Sequence, residues 1–355
     1  MERLMHEISG LEELNRSVLE NGLCAACGAC VGRCPYLTKF KGKTVKLDTC
    51  TVEKGRCHAY CPMTFFDPQA AGPALFGTAY DNSGIGNVIQ STAARSCAPE
   101  VRSIAQGGGV VTSLVSAALE EGIIQAAVLT SSADDGFPCG IVATDRHAVM
   151  NCSGSKFVGA HTLEALRDAL DRGFDRIGIV GLPCQVRAIR KMALLDLKNE
   201  HLQERLSLVV GLFCNWALSV RELLPFLHAE LKGHAVKKFD IPPPPANLLI
   251  AYTAENQTIE IPLDNVRQFI QKACTVCGDM TSEFADVSVG MYEGRPGWNT
   301  VLVRTTTGSN LIKLAEEKRK IELEPFPDEN LHHLKSAALK KKLRETDPQG
   351  RSERS

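Results

Sequence analysis

Ile177-Gly-Ile-Val-Gly-Leu-Pro-Cys-Gln-Val186 joins a short apolar strand to the start of a helix near Gln185. The same change, from a short apolar run typical of a strand to the apolar spacing of a helix, recurs along the chain. It predicts helices at 110–121, 163–170, 219–231 and from 310, and strands at 126–130, 177–180, 206–212, 287–289 and 300–304. Alternation of this kind is typical of an α/β fold, and we expect a mixed, largely parallel sheet.

Four segments of different character follow from the composition along the chain. Residues 1–66 are rich in cysteine and open on a predicted amphipathic helix over 1–20, whereas glycine, alanine and proline in 67–98 predict a linker or covering loop. Residues 99–330 carry the alternating pattern, with a proline run at 242–245 and further strand candidates at 248–253 and 258–262. The basic residues 331–355 predict a frayed helix that becomes a flexible tail.

The overall composition is that of a globular protein with no general attraction to polyanions. Its 355 residues carry 40 basic and 41 acidic side chains, a net charge of −1, which predicts no nucleic-acid or anionic membrane partner. The charged N-terminus and the absence of a long apolar run predict a cytoplasmic protein without a membrane span. In a reducing compartment, 14 cysteines indicate metal binding rather than disulfides.

The cysteines near the N-terminus follow the pattern of bacterial ferredoxins. Cys24-Ala-Ala-Cys27-Gly-Ala-Cys30-Val-Gly-Arg-Cys34-Pro35 is a C-x2-C-x2-C-x3-C-P run, which predicts a 4Fe-4S cluster in a small ferredoxin-like module. In that pattern a later Cys-Pro supplies the fourth ligand, here Cys61. Cys34, Cys50 and Cys57 would then serve a second cluster, with Cys97 as the spare ligand if it is incomplete. A zinc site is the alternative.

Four inner cysteines form a further candidate site. Cys184 and Cys214 each follow a predicted strand, and Cys274 and Cys277 form a C-x2-C pair. Because ligands gather beyond the carboxyl ends of parallel strands, these thiols could meet there. A set of buried, inert cysteines explains the same residues equally well.

The ordered motifs resemble one protein family, the beta subunits of coenzyme F-420 hydrogenases and dehydrogenases, which include formate dehydrogenase beta subunits. The matching stretches cover roughly residues 20–325 and are 106–112, 119–124, 154–158, 180–185, 211–214, 274–279, 285–290 and 297–301. Two positions depart from the family pattern. Gly159 stands where the family often has proline, and Gly278 where it often has another residue.

The resemblance implies an FAD-binding α/β domain with a 4Fe-4S cluster beside the flavin, which favours a cluster at the four inner cysteines. The implied FAD contacts are Gly107, Gly108, Gly109, Val110, Val111, Thr112, Ser155, Lys156 and Gln185. A glycine triplet before a helix suits an anionic ligand, and a tight turn at the start of the helix is the alternative. Arg187 and Arg190 could reach an anionic tail or lie on an exposed helix face.

The cysteine motifs and the family resemblance together predict a function. We expect an oxidoreductase subunit that transfers electrons between a hydride carrier, coenzyme F-420, and a partner redox protein through FAD and two to three 4Fe-4S clusters. Alternatives are an NAD(P)H- or ferredoxin-linked enzyme and a flavin-free iron–sulfur relay adaptor. The expected partners are other subunits of a hydrogenase, formate dehydrogenase or heterodisulfide reductase type of complex.

Overall fold

The structure, a computed structural model, describes residues 8–132, 137–242 and 245–346. Residues 1–7 of the predicted first helix, Pro243 and Pro244 of the proline run, and the last nine residues of the tail lie outside these ranges. The strands are β1 Leu37–Phe40, β2 Lys43–Lys46, β3 Gln90–Ser96, β4 Ala126–Ser131, β5 Cys139–Ala143, β6 Ile177–Gly181, β7 Leu206–Leu212, β8 Val236–Asp240, β9 Leu248–Thr253, β10 Thr258–Pro262, β11 Val287–Met291, β12 Asn299–Val303 and β13 Ile321–Pro325.

Helices cover both faces of the main sheet and end the described chain. The α-helices are α1 Leu11–Leu14, α2 Arg56–Ala59, α3 Pro68–Phe76, α4 Pro99–Ile104, α5 Val110–Glu120, α6 Arg146–Asn151, α7 Ala165–Asp171, α8 Pro183–Leu195, α9 Leu202–Arg205, α10 Val220–Leu231, α11 Leu263–Arg267, α12 Thr306–Glu317 and α13 Asp328–Thr346. Shorter helical turns occur at Asn15–Leu19, Thr162–Glu164 and Lys272–Val276. No helix in the described part of the chain is both long and apolar enough to cross a bilayer.

An eight-stranded sheet in the order β13-β3-β12-β11-β7-β6-β4-β5 organises the main body. The neighbouring pairs β11–β7, β7–β6 and β6–β4 are parallel, and the four pairs at the two ends are antiparallel. The expected α/β fold with a large mixed sheet is therefore confirmed. The expectation that most of the sheet is parallel is wrong, because antiparallel strands extend both sides of a four-stranded parallel centre.

Part of the segment expected to be a linker, residues 67–98, is regular structure. α3 begins at Pro68 with Asp67 as its cap, since the Asp67 carboxylate accepts from the Gln69 and Ala70 amides. β3 lies between β12 and β13 in the main sheet, and its Ala93 and Ala94 are fully buried. The sequence did not predict this strand, because its alanines lack the β-branched side chains typical of strands.

A second, smaller sheet forms beyond the main one. β9 pairs antiparallel with both β8 and β10, and α10 and α11 pack their apolar side chains against it. β9 and β10 match the two strands predicted after the proline run. Leu218 and Ile270 bridge this unit to the segment at Val158, so it lies beside the 154–158 loop.

The last described helix, α13, runs well into the segment 331–355, for which a frayed helix and a flexible tail were expected. α13 continues to Thr346, and Ala338 is buried against Ile85, Met280 and Leu302. Helix-favouring Ala, Leu and Lys residues and an apolar contact surface stabilise it. The helix therefore belongs to the folded body, and Lys341 within it is only 3% exposed.

Candidate functional site

One large cavity lies at the carboxyl ends of β6 and β7 and has a volume of about 520 Å³. Small-molecule and cofactor sites commonly enclose roughly 300–1,000 Å³. Its wall includes Gly181, Leu212, Cys214 and Asn215 from these strand ends, and Trp216 beside them. The cavity therefore lies at the edge where a parallel α/β sheet places its ligands.

The glycine turn before α5 forms one wall of the cavity. Gly109 adopts φ +75°, a left-handed conformation that favours glycine, and a Cβ there would lie 2.8 Å from Val101 Cγ1. The Val110 amide donates to Asn299 Oδ1 at 3.3 Å. Gly107 and 109–112 line the cavity, so the amino-terminal end of α5 faces the ligand space. This end of a helix favours an anion such as phosphate.

Gly108 does not line the cavity, although the other predicted FAD contacts do. Its carbonyl accepts from the Ser96 amide at 2.7 Å, and a Cβ at this position would lie 2.9 Å from the Ala94 carbonyl oxygen. Gly108 therefore lets the turn pack against β3. Gly108 thus has a packing role beside the cavity wall, and its contact with FAD stays a prediction.

Ser155 and Lys156 also line the cavity, on the loop after α6, which contacts the first turn of α5. The Lys156 ammonium donates to the Ser153 carbonyl at 3.1 Å, and Ser153 Oγ lies 3.0 Å from Thr112 Oγ1. Burial lowers the pKa of Lys156, while the neighbouring Cys152 opposes that change. One positively charged group is thus held at the cavity wall, where it can bind an anionic part of a ligand.

Gln185 lines the cavity but uses its amide group within the protein. Its Nε2 donates to the Ala160 carbonyl and to Thr162 Oγ1, both at 2.9 Å, and its Oε1 accepts from the Leu182 amide at 2.8 Å. These contacts fix the turn from β6 into α8, which carries Cys184. Gln185 therefore shapes the wall of the cavity.

The four inner cysteines meet beside the cavity; we call Cys184, Cys214, Cys274 and Cys277 the inner group. Burial raises the pKa of the Cys184 thiol well above its usual value, and the charges of the other three and of Cys27 add to this rise. Burial likewise raises the pKa of Cys214 to about 12. The Ala217 amide donates to Cys274 Sγ at 3.2 Å. Buried thiols with amide donors suit a metal cluster, which stabilises the thiolate form.

Two groups of cysteines form in the N-terminal module. Cys24, Cys27, Cys30 and Cys61 are the first N-terminal group, in which burial and then the neighbouring thiolates raise the pKa of Cys27 and Cys30 well above the usual value. Cys34, Cys50 and Cys57 are the second N-terminal group, in which burial raises the pKa of Cys57 to about 11 and Cys34 and Cys50 add to it. The pairing of Cys61 with the first three cysteines agrees with the ferredoxin pattern.

Cys97 does not join the second N-terminal group. It is exposed at the end of β3, where its amide donates to the Lys320 carbonyl at 3.0 Å and where Glu322 and Arg102 are its charged neighbours. The hypothesis that Cys97 is the spare ligand is therefore wrong, because the expected linker is a strand that carries Cys97 to the β13 side of the sheet.

The inner group lies at the cavity, the first N-terminal group lies next to it, and the second N-terminal group lies next to the first. Cys214 lines the cavity and belongs to the inner group. Cys27 of the first N-terminal group is among the charges that act on Cys184, and Cys57 of the second is among those that act on Cys30. The protein thus brings its cysteines together in an order that could carry electrons stepwise.

Among the described residues, no three Cys, His, Asp or Glu side chains converge as ligands of a single metal ion. In a 4Fe-4S cubane each thiolate binds a different iron atom, so the four sulfurs stand further apart than the ligands of one ion.

Two buried lysines and two arginines at these groups have roles that the sequence did not indicate. Lys191 Nζ donates to the Cys61 carbonyl, and Lys341 Nζ donates to the Cys214 carbonyl, each at 2.6 Å. Arg190 is buried in an ion pair with Asp286 at 3.1 Å, and Arg187 pairs with Glu345 at 2.9 Å. Neither arginine lines the cavity, so the expectation that they reach an anionic tail or lie on an exposed face is wrong.

The two departures from the family pattern have local explanations. The Gly159 amide donates to the Leu218 carbonyl at 3.1 Å, a bond that proline could not make, and a Cβ there would overlap the Gln271 amide. A Cβ at Gly278 would lie 2.8 Å from Glu345 Cγ. Glycine at 278 therefore lets α13 approach the inner group.

Comparison with known proteins identifies the class of protein and then its family. The sequence profile for the N-terminal part of coenzyme F-420 hydrogenase/dehydrogenase beta subunits matches residues 91–167, and the profile for their C-terminal part matches residues 174–329. The fold and these matches define an oxidoreductase subunit. The chain belongs to the family of coenzyme F-420 hydrogenase/dehydrogenase beta subunits, as the sequence motifs predicted.

Individual relatives are similar over most of their length. The chain is 30% identical to the beta subunit of coenzyme F-420 hydrogenase of Methanothermobacter thermautotrophicus, over 69% of this chain and 87% of the relative. It is 27% identical to a subunit of the F(420)H(2) dehydrogenase of Methanosarcina mazei, over 87% of each. A chain of the xenon-derivatised F-420-reducing [NiFe] hydrogenase complex of Methanosarcina barkeri superposes with a TM-score of 0.68 and 27% identity, over 75% of this chain and 93% of the other.

Proposed function

We propose that this chain passes electrons between coenzyme F-420 and a partner redox protein, with FAD in the cavity and 4Fe-4S clusters in the cysteine groups. The observation that carries the proposal is the order of the sites. The cavity adjoins the inner group through Cys214, the inner group adjoins the first N-terminal group through Cys184 and Cys27, and the second N-terminal group lies beyond.

The residues around the cavity suit a flavin dinucleotide. Flavin, when bound, supplies the exchange between a two-electron hydride and single electrons that a cluster can take. The amino-terminal end of α5 and Lys156 offer amide donors and a positive charge for the pyrophosphate. Apolar side chains such as Val111, Val115 and Leu129 also line the wall and would shield a bound flavin from water.

The cysteine groups suit clusters for reasons of chemistry rather than spacing alone. Their thiols are partly or fully buried. Burial and the neighbouring thiolates raise the pKa of Cys27 and Cys184, so the thiolate form is unfavourable there unless iron takes the negative charge. Amide donors to sulfur, as at Cys274, stabilise the thiolates. The inner group and the first N-terminal group have four cysteines each, and the second has three, which supports two full clusters and a third site of lower completeness.

The choice of coenzyme F-420 and of a multi-subunit partner rests on the relatives. Subunits of F-420 hydrogenase and F(420)H(2) dehydrogenase are similar over most of this chain, and so is the F-420-dependent sulfite reductase of Methanocaldococcus jannaschii, of which the chain spans 51%. The solved relative is part of a hydrogenase complex. We therefore propose that the partner belongs to a hydrogenase, dehydrogenase or reductase complex.

The test is an anaerobic purification followed by a reduction experiment. Iron, sulfide and flavin are first measured per chain, and flavin absorbance is then followed after adding reduced coenzyme F-420 or NADH. Bleaching by reduced F-420 alone is expected. Bleaching by NADH alone would overturn the choice of carrier. Full iron with no flavin would make the chain a relay adaptor and overturn the FAD assignment.

A further inference from the structure

Lys341 is a buried positive charge at the inner group, and neither the family profile nor the cluster motifs account for it. Its side chain lies on α13, which begins at the end of the region that the family profile matches, residue 329. Nζ donates to the carbonyl of Cys214 at 2.6 Å and to that of Asp279 at 2.8 Å. The residue is 3% exposed, so little water screens its charge.

The rest of α13 holds Lys341 in this position. Arg344 donates to the Asn215 carbonyl at 3.1 Å and Lys342 to Glu283 at 3.0 Å, which fixes the helix on both sides. Glu345 pairs with Arg187 of α8, three residues after Cys184. The absence of a side chain at Gly278 makes room for Glu345. Three segments that carry inner-group cysteines therefore contact one helix.

The charge lies directly at the inner group, because Nζ bonds the backbone carbonyl of Cys214 itself and that of Asp279, two residues after Cys277. Arg344 of the same helix lies 3.5 Å from the Cys274 carbonyl and is a second cation at this group. The nearby carboxylates are engaged by other groups, because that of Asp279 accepts from the amides of Thr281 and Glu283 and that of Glu345 pairs with Arg187.

We propose that Lys341 is a positioning and charge-compensating residue that raises the reduction potential of a cluster in the inner group. Adding an electron to a cluster bound by four thiolates increases its negative charge, so a buried ammonium group stabilises the reduced form more than the oxidised form. The lysine lets the inner site accept electrons from the cavity. This inference rests on the proposed function, because it requires a cluster at that site.

The test is a redox titration of the anaerobically purified full chain, followed by electron paramagnetic resonance. The inner signal is identified first by its loss in Cys184→Ser. Lys341→Gln keeps a hydrogen-bond donor without the charge and should make reduction of the inner site about tenfold less favourable, a shift of about 59 mV to lower potential for one electron. Lys341→Arg keeps the charge and should stay close to the wild type.

Lys340→Met is the matched control, because it removes the same charge from an exposed position one residue away. It should leave the inner potential unchanged. An unchanged potential in Lys341→Gln, or an equal shift in Lys341→Arg or Lys340→Met, would overturn the inference and leave the proposed function intact. If Cys184→Ser changes neither iron content nor spectrum, the inner cluster itself is absent and the proposed function fails first.

The iron content of the Lys341 variants also tests the inference. If Lys341→Gln lowers iron by about four atoms per chain while Lys341→Arg retains them, the positive charge is required for the thiolates to hold the cluster, which supports the inference. If Lys341→Arg loses the same iron, the lysine acts through its shape alone and charge compensation is contradicted.

Discussion

Lys191 Nζ lies 2.6 Å from the carbonyl oxygen of Cys61, with further bonds to Thr64 Oγ1 at 2.6 Å and the Phe65 carbonyl at 3.0 Å. Lys191 is buried on α8, the helix that carries Cys184 in its first turn. One rigid element therefore joins the inner group to the first N-terminal group. This arrangement holds the two groups in a fixed relation.

Removing the Lys191 charge should lower the potential of the first N-terminal site. We expect Lys191→Met to make its reduction about tenfold less favourable, about 59 mV for one electron, since the buried ammonium stabilises added negative charge. The redox titration described for Lys341 measures this. Lys198→Met, at an exposed position beyond the end of α8, is the control and should cause no shift. Equal shifts in both variants would contradict a local effect.

Iron content should separate cluster ligands from the spare thiol. Cys184→Ser should lower iron and sulfide by about four atoms each per chain, because one cubane loses a ligand. Cys97→Ser should retain full iron, since Cys97 is exposed beside β13. Iron and sulfide assays on anaerobic protein check this. Loss of iron in Cys97→Ser would contradict the position of that residue in the fold.

The glycine turn at the cavity should be sensitive to a single methyl group. Gly109→Ala should lower the free energy of unfolding by about 1–2 kcal/mol for the left-handed backbone, plus the cost of the close contact with Val101. Gly122→Ala is the control, because Gly122 has a similar φ of +69° and open space around it. Urea unfolding and FAD retention are the measurements. Gly109→Ala should lose FAD, and Gly122→Ala should retain it. If Gly122→Ala lost as much FAD as Gly109→Ala, the turn would not be a specific ligand contact.

Glu283 should make stability depend on pH. Burial raises its pKa to about 7, Asp279 adds to this, and Lys342 opposes it. The pKa of Glu283 in the folded protein exceeds the unfolded value of 4.5. The stability that Glu283 contributes is therefore fully present below pH 4.5 and is lost as pH rises through 7. Glu283→Gln should therefore flatten the fall in the thermal midpoint between pH 5 and pH 8. The exposed Glu329→Gln is the control and should keep the wild-type slope. An unchanged slope in Glu283→Gln would show that Glu283 does not titrate in this range.

The sequence predicted the strands at the parallel centre of the sheet because β4, β6, β7 and β11 are short, largely apolar runs next to helical periodicity. It failed for β3, whose buried Ala93 and Ala94 have low strand propensity and gain stability only from their neighbours in the sheet. It also failed for β13, which follows a charged helix end and pairs only with β3. Non-local pairing of this kind leaves little signal in a single sequence.

The sequence predicted those site residues whose role depends on their spacing. It did not predict the residues whose role depends on burial in the fold. The C-x2-C runs identified cysteines that the fold brings together. Lys341 lies within the basic run 340–342, which is typical of a solvated surface, and the packing of Ala338 together with the polar contacts of Lys342, Arg344 and Glu345 turns it inward. Gln185, an FAD contact implied by the family resemblance, does line the cavity, but the sequence did not indicate that its side-chain amide closes the turn into α8.

The most direct test of the central claim is a single-turnover experiment with reduced coenzyme F-420, comparing the wild type with Cys184→Ser. Flavin absorbance and the signals of the N-terminal clusters are followed on the same sample. The account predicts that flavin bleaches in both proteins, and that the N-terminal clusters become reduced only in the wild type. Equally fast reduction of those clusters in Cys184→Ser would contradict a path through the inner group.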